Sequence, residues 1–177
     1  MIRIERVDPL PLAAELRDVH RAALGAGALS DEWAGDRLPV HAHREDFIFL
    51  VASEAGRIVG FGYGYTGAYG QWWTEHVAAA LTGDQRAVWL DPPHYEIVEL
   101  HVRPKWQRHG VGSRLLAQLL TLQPHDRAVL STQTGSKKAR RFYAKNGWEE
   151  LAEIDFGPGY PAYVALGRRL VPSVSRS

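Results

Sequence analysis

Three segments follow one another in the middle of the chain: "HYEIVELHV", then "GVGSRLLAQLLTL", then "RAVLSTQT". The first and third have strand character and the second is a helix. In the helix Val111, Leu115, Leu119 and Leu122 recur on one face, with Leu116 and Leu120 beside them. Two strands joined through a helix cannot close as a hairpin. They are expected to lie parallel in one sheet, linked by a crossover. Whatever this chain folds into must contain that parallel pair.

The flanking segments add hairpins. "DFIFLVASEAGRIVGFGYGYT" reads as two apolar strands joined at "SEAGR". "IRIERV" alternates Ile2 and Ile4 with Arg3 and Glu5 and predicts a first strand. Leu12, Leu16, Val19 and Ala23 place an amphipathic helix after it. "GAGALSDEWAGDRLP" reads as a loop, and "VHAHRED" as a short helix or a loop. A helical segment is expected at about 71–81. "SKKARRFYAKNG" predicts a helix with Ser136 as N-cap and Gly147 as its stop. "WEELAEIDF" and "AYVALGRRL" close the chain as strands around "GPGYP". The expected class is a mixed α/β domain. At 177 residues one domain is expected over 1–170, with 67–93 inserted between the third and fourth strands and 171–177 as a flexible tail.

Composition removes several functions. The formal net charge is +1, so nucleic acid is not an expected partner. There is no cysteine, which excludes disulfides, cysteine-ligated zinc and a thiol nucleophile. The longest clearly apolar run, Phe47 to Ala52, is too short to cross a bilayer, and the first residues show no signal-peptide core. A cytoplasmic protein with no membrane partner is expected. His41 and His43 flank one alanine without a clear third ligand, so a surface loop and no metal are expected.

The chemistry concentrates where the first strand of the parallel pair meets its helix. A helix start leaves backbone N–H groups unpaired and carries partial positive charge. Gly110 and Gly112 would let a ligand approach that backbone closely, and Arg103, Lys105, Arg108, His109 and Arg114 surround it. This is the composition of a phosphate seat. Leu115 stands where a dinucleotide fingerprint needs its third glycine, and the chain has no Gly-Lys-Ser/Thr.

What remains is Val102-Arg103-Pro104 followed by Gln107-Arg108-His109-Gly110-Val111-Gly112, with Ala139, Phe142, Tyr143, Gly147 and Trp148 downstream. In these two motifs the sequence resembles the GNAT superfamily of acetyl-CoA-dependent N-acetyltransferases. The resemblance implies a single-domain fold with a central mixed, mostly antiparallel sheet of about seven strands, flanked by helices and splayed at strands 4 and 5. It implies that backbone amides of Gln107, Arg108, His109, Gly110, Val111, Gly112 and Ser113 hold the pyrophosphate of acetyl-CoA. Leu100, His101 and Val102 would pair with the pantetheine arm. Ser136 stands where the family often has asparagine and would touch the same arm. Arg140, in the basic run "KKARR", is a candidate for the 3′-phosphate of CoA.

Acetyl transfer to an amine needs a base for the amine and an acid for the thiolate. Tyr143 occupies the family's tyrosine position and is the candidate acid. Glu96 is the favoured base. Glu99, which shares a strand parity with His101, is the reserve. Without cysteine, direct attack in a ternary complex is expected. The acceptor is a small-molecule or peptide amine, and homodimer formation stays open. Trp72, Trp73, Glu75 and Asp91 either line an acceptor pocket or pack the insert onto the core. A noncatalytic acyl-CoA-binding regulatory domain is the alternative reading.

Overall fold

The computed structural model describes residues 1–170; the expected tail, 171–177, lies outside them. The strands are β1 (Arg3–Arg6), β2 (Ile48–Glu54), β3 (Arg57–Gly67), β4 (His94–Val102), β5 (Arg127–Gln133), β6 (Glu149–Ile154) and β7 (Tyr163–Arg169). The helices are α1 (Ala13–Leu24), α2 (Ser30–Glu32), α3 (Leu38–His41), α4 (Trp72–Ala80), α5 (Gly83–Trp89), α6 (Val111–Leu122) and α7 (Lys137–Lys145). The strands form one seven-stranded sheet in the order β1-β2-β3-β4-β5-β7-β6. β4 and β5 run parallel, as the crossover through α6 requires. Among the described residues their ladder has two pairs, Tyr95 with Ala128 and Glu96 with Val129. The pairs β1–β2, β2–β3, β5–β7 and β6–β7 are antiparallel. The mixed, mostly antiparallel sheet expected from the sequence is therefore present.

The chain divides into two compact units, one of residues 1–65 with 97–123 and one of 66–96 with 124–170. In the first unit, β2 and β3 close through Ala55 (φ 50°) and Gly56 (φ 77°). Two left-handed residues make the turn whose twist matches a tight hairpin. Val59 is an extra residue in β3, since Ala52 faces Gly60 while Ser53 faces Ile58. β3 then alternates Gly60, Gly62 and Gly64 with Phe61, Tyr63 and Tyr65. The aromatic face joins Leu16, Val19, Trp33, Leu38 and Phe49 in one core. The glycine side receives Leu100 and Leu119: a Cβ on Gly62 would stand 2.9 Å and 3.2 Å from their methyl carbons.

Two expectations for this unit are corrected. The expected loop "GAGALSDEWAGDRLP" is largely helical: α2 continues through a π-helical turn, Trp33–Arg37, into α3. Gly35 and Pro39 concealed it, but Pro39 sits in the first turn of α3, where the fixed φ of proline is already helical. Trp33 is fully buried and anchors the segment. On α6, Val111, Leu115, Leu116 and Leu119 are buried, but Leu122, at the helix end, is 46% exposed.

In the second unit the insert holds two helices where one was expected. Thr82 and Gln85 form a reciprocal capping box that starts α5. Trp89 at its end lies over Gly167 of β7, where a Cβ would come 2.7 Å from the indole ring. Val77, Leu81, Trp89 and Leu90 share a core with Val129, Ile154 and Ala165. Ser136 caps α7 by accepting from the Ala139 N–H at 3.4 Å, and Gly147 follows it at φ 80°, both as expected. No helix among the described residues is long and apolar enough to cross a membrane.

The approach of β4 to β3 gives a direct test. A Cβ at Gly60 would meet the His101 carbonyl oxygen at 2.8 Å, and backbone cannot swing aside as a side chain can. Gly60→Ala is expected to destabilise the protein by about 1–3 kcal/mol in chemical denaturation. An unchanged denaturation midpoint would show that this approach is not a constraint.

Candidate functional site

The glycine turn belongs to the first unit. After β4, Pro104–Trp106 form a 3₁₀ turn, and Arg108 (φ 63°) and Gly110 (φ 78°) are both left-handed. Gln107 Nε2 donates to the Val102 carbonyl at 2.8 Å, tying the turn to the end of β4. His109 Nδ1 lies 2.8 Å from the Gln107 carbonyl. Helix α6 starts at Val111 with no side-chain cap and no acidic residue in its first turn. Its first turn carries the positive end of the helix dipole, and Arg108, His109 and Gly110 are exposed beside it. The cations counted in the sequence are partly used. Arg103 Nε donates to the Ile58 carbonyl at 3.1 Å, and Arg114 Nη2 to that of Ile2 at 3.2 Å.

A second group of polar side chains in the same unit was not visible as a group in the sequence. Glu99 and His101, two residues apart on β4, point the same way, as their parity required. His101 Nε2 lies 2.5 Å from Glu99 Oε2. Edge-on to His101, at 4.9 Å between centroids, is His20 of α1. His20 is 4% exposed, stacks on Trp33 at 4.7 Å and places Nδ1 2.8 Å from Ser30 Oγ. It follows Leu16 by one turn on the buried face of α1, a polar residue at a core position, and that was the available signal. His41 closes the group. Its Nδ1 is 2.9 Å from the Tyr63 hydroxyl, which also accepts from Trp33 Nε1 at 3.1 Å. The expected surface loop is thus corrected for His41, which is part-buried at the end of α3; His43 is exposed.

Burial sets the charges here. It pushes the His20 imidazole down to about 4 from the ordinary 6.5, against the attraction of Glu99. His41 is pushed to about 4 by the same cause. Burial alone would raise the Glu99 carboxyl. The hydrogen bond from His101 and the attraction of His101 and Arg37 outweigh it and hold the carboxyl below its usual range.

The remaining candidates lie in the second unit. Glu96 is 3% exposed on β4, opposite Val129. Tyr143 is half-buried on α7, its ring edge-on to Phe142 at 5.1 Å and to Trp148 at 5.9 Å. Arg140 donates to both oxygens of Glu150 at 2.6 and 2.8 Å, so the chain itself supplies one anionic partner for the basic run. The tryptophans of the insert divide. Trp73 is half-buried and donates to Ser131 Oγ at 2.9 Å, whereas Trp72 is 53% exposed and stacks on Phe156 at 5.0 Å. Glu75 accepts from the Gly70 N–H and Asp91 from the Tyr69 hydroxyl, each at 2.6 Å.

A pH dependence of stability follows from the buried imidazoles. The unfolded chain protonates both more readily, so unfolding takes up protons below about pH 6.5. The stabilisation is fully present above that pH and is lost as pH falls toward about 4. His20 alone accounts for about 3 kcal/mol at most. Thermal melts of the wild type should fall steeply through this window, and His20→Gln should flatten the slope. A wild-type melting temperature constant from pH 7 to pH 4 would contradict the neutral imidazoles.

The protein resembles others of known family. The acetyltransferase (GNAT) family model matches residues 14–148. The GCN5-like protein acetyltransferase Rv2170 of Mycobacterium tuberculosis is 35% identical over 121 residues, which cover 64% of this chain. The match spans 59% of that relative's length. Among solved structures, a GNAT-family protein from Desulfovibrio desulfuricans superimposes with a TM-score of 0.72 at 17% identity, over 97% of this chain and 100% of the other. The PaiA N-acetyltransferase of Thermoplasma acidophilum, in complex with coenzyme A, gives 0.65 at 15% identity, over 96% and 99%. With its family motifs in place and most of its length matched, the chain belongs to the acetyltransferase (GNAT) family.

Proposed function

We propose that the protein transfers the acetyl group of acetyl-CoA directly to an amine acceptor within a ternary complex. The observation that carries this reading is the start of α6: without a side-chain cap or an acidic residue, it follows the exposed turn Arg108–Gly110 and is opened by Gly110 at φ 78°. Such a start offers N–H groups and a positive dipole to a pyrophosphate. The Thermoplasma relative is a structure with coenzyme A bound, which supports the same cosubstrate here. In this reading the amides from Arg108 to Ser113 hold the pyrophosphate, the Gln107 N–H being already donated to the Pro104 carbonyl at 3.2 Å, and the backbone of Leu100, His101 and Val102 pairs with the pantetheine arm.

The transfer forms a bond from the acceptor nitrogen to the acetyl carbon and breaks the bond from that carbon to sulfur. The nitrogen loses one proton and the sulfur gains one. Tyr143 is assigned the proton to sulfur. Of the two glutamates, Glu99 has the better route for removing a proton. Its side chain is 21% exposed and bonded to His101, whereas Glu96 is 3% exposed. We therefore assign the base to Glu99 with His101, and Glu96 remains the variant to compare. The mycobacterial relative's name makes a protein amine the first acceptor to try.

The test is an assay of released CoA thiol against a panel of peptide and small-molecule amines. The chain has no cysteine, so it contributes no thiol background. Turnover with at least one amine is expected, with Tyr143→Phe lowering kcat by about 100-fold and Glu99→Gln by a similar factor. Gly110→Val should weaken acetyl-CoA binding by about tenfold, since a β-branched residue is strained at that φ. Binding of acetyl-CoA without turnover of any amine would favour a noncatalytic acyl-CoA-binding domain. No binding at all would reject both.

A further inference from the structure

The side chains of His20, Glu99 and His101 converge within the first unit. One ligand atom from each lies within 4.8 Å of the others. We propose that these three residues form a binding site for a divalent transition-metal ion of the Zn²⁺ class, with two imidazoles and one carboxylate as ligands. Two borderline nitrogen donors and one oxygen suit Zn²⁺ and its spectroscopic substitute Co²⁺ far better than Mg²⁺ or Ca²⁺. Three protein ligands leave the fourth position for water.

The arrangement has the parts that such a site needs. Glu99 and His101 sit two apart on β4, which puts both side chains on one face of a strand. His20 is fixed by its stack on Trp33 and by Ser30 at Nδ1, which leaves Nε2 as its ligand nitrogen. An outer partner on the second ring nitrogen is the usual support of a metal-bound histidine. Burial keeps His20 neutral, as a ligand must be. The ion has a way in, since Glu99 is 21% and His101 12% exposed at the side chain. Arg37 is the opposing charge. It is 47% exposed and lies 3.5 Å from Glu32, which offsets part of its field.

The ion would take the place of the proton between Glu99 and His101, that proton passing to Nδ1 of the His101 ring. Tetrahedral bonds of about 2.1 Å put ligand atoms about 3.4 Å apart. The 2.5 Å contact must therefore open by about 1 Å, within the reach of small side-chain rotations. The site shares Glu99 and His101 with the proposed base, and its test follows the ion rather than turnover, so the two readings fail separately.

The experiment is a titration of the metal-free, full-length protein with Co²⁺, following visible ligand-field absorption. One saturable Co²⁺ per chain is expected, displaced by Zn²⁺. Glu99→Gln and His101→Gln should each weaken Co²⁺ binding by more than about 100-fold, and Ser30→Ala by about tenfold, the effect of an outer partner. The His41→Gln/His43→Gln double variant should bind as the wild type does. Glu99 is partly exposed, so Glu99→Gln is expected to keep the fold, and circular dichroism checks that it does. The proposal is overturned if no saturable band forms or if Glu99→Gln and His101→Gln both bind Co²⁺ normally. Loss of the band in the His41/His43 double variant would also overturn it, by moving the site elsewhere.

Discussion

The close approach of β4 to the glycine side of β3 governs the first unit. Without side chains at Gly60 and Gly62, the β3 backbone admits Val102, Leu100 and Leu119 on one side. The bulk omitted there is placed on the other side, where Phe61 and Tyr63 pack against Trp33, Leu16 and Leu38. Alternation along β4 then has a chemical result. Leu100 and Val102 go to the tight apolar side. Glu99 and His101 are left for the aromatic side, among rings that shield them from water. A small-residue face on one strand thus decides where two ionisable groups on its neighbour end up.

Glu99 and its neighbour His20 are held in definite charge states by that environment. His20 lies flat on Trp33 and is too buried to carry a second ring proton at neutral pH. Glu99 is in the same surroundings but is stabilised as a carboxylate by its bond to His101. One carboxylate beside the neutral His20 imidazole is an arrangement that can accept either a proton or a cation. The proposed base and the proposed ion site are thus two consequences of one electrostatic fact, and both are separable by the species that binds.

Most of the fold was legible because it rests on periodicity and on turns. The strand–helix–strand run fixed the parallel pair, and "SEAGR" marked the hairpin whose tight turn is Ala55-Gly56. Ser136 and Gly147 marked the ends of α7. The stretch through α2 and α3 was not legible, because Gly35 and Pro39 read as breakers, and its helical form follows from tertiary burial of Trp33. The site was legible in part for a similar reason. The glycine turn is a local pattern, and the Glu99–His101 pair follows from parity. His20 reaches His101 across 80 intervening positions of chain, and no local pattern reports a contact made only by packing α1 against the aromatic face.

The charges around the glycine turn refine what the motif can do. Counted along the sequence, it is ringed by cations. In the fold, Arg103 and Arg114 spend hydrogen bonds on backbone carbonyls, and Lys105 lies 5.2 Å over the Trp106 ring. In the second unit Arg140 is clamped on Glu150. Arg108 remains exposed at the turn. In the proposed reading, recognition of a pyrophosphate therefore depends more on oriented backbone N–H groups than on free side-chain charge. Fixed short-range dipoles are screened less by salt than mobile exposed cations are. The uncapped start of α6 and the left-handed Gly110 that opens it then matter more to the cosubstrate than the number of basic residues nearby.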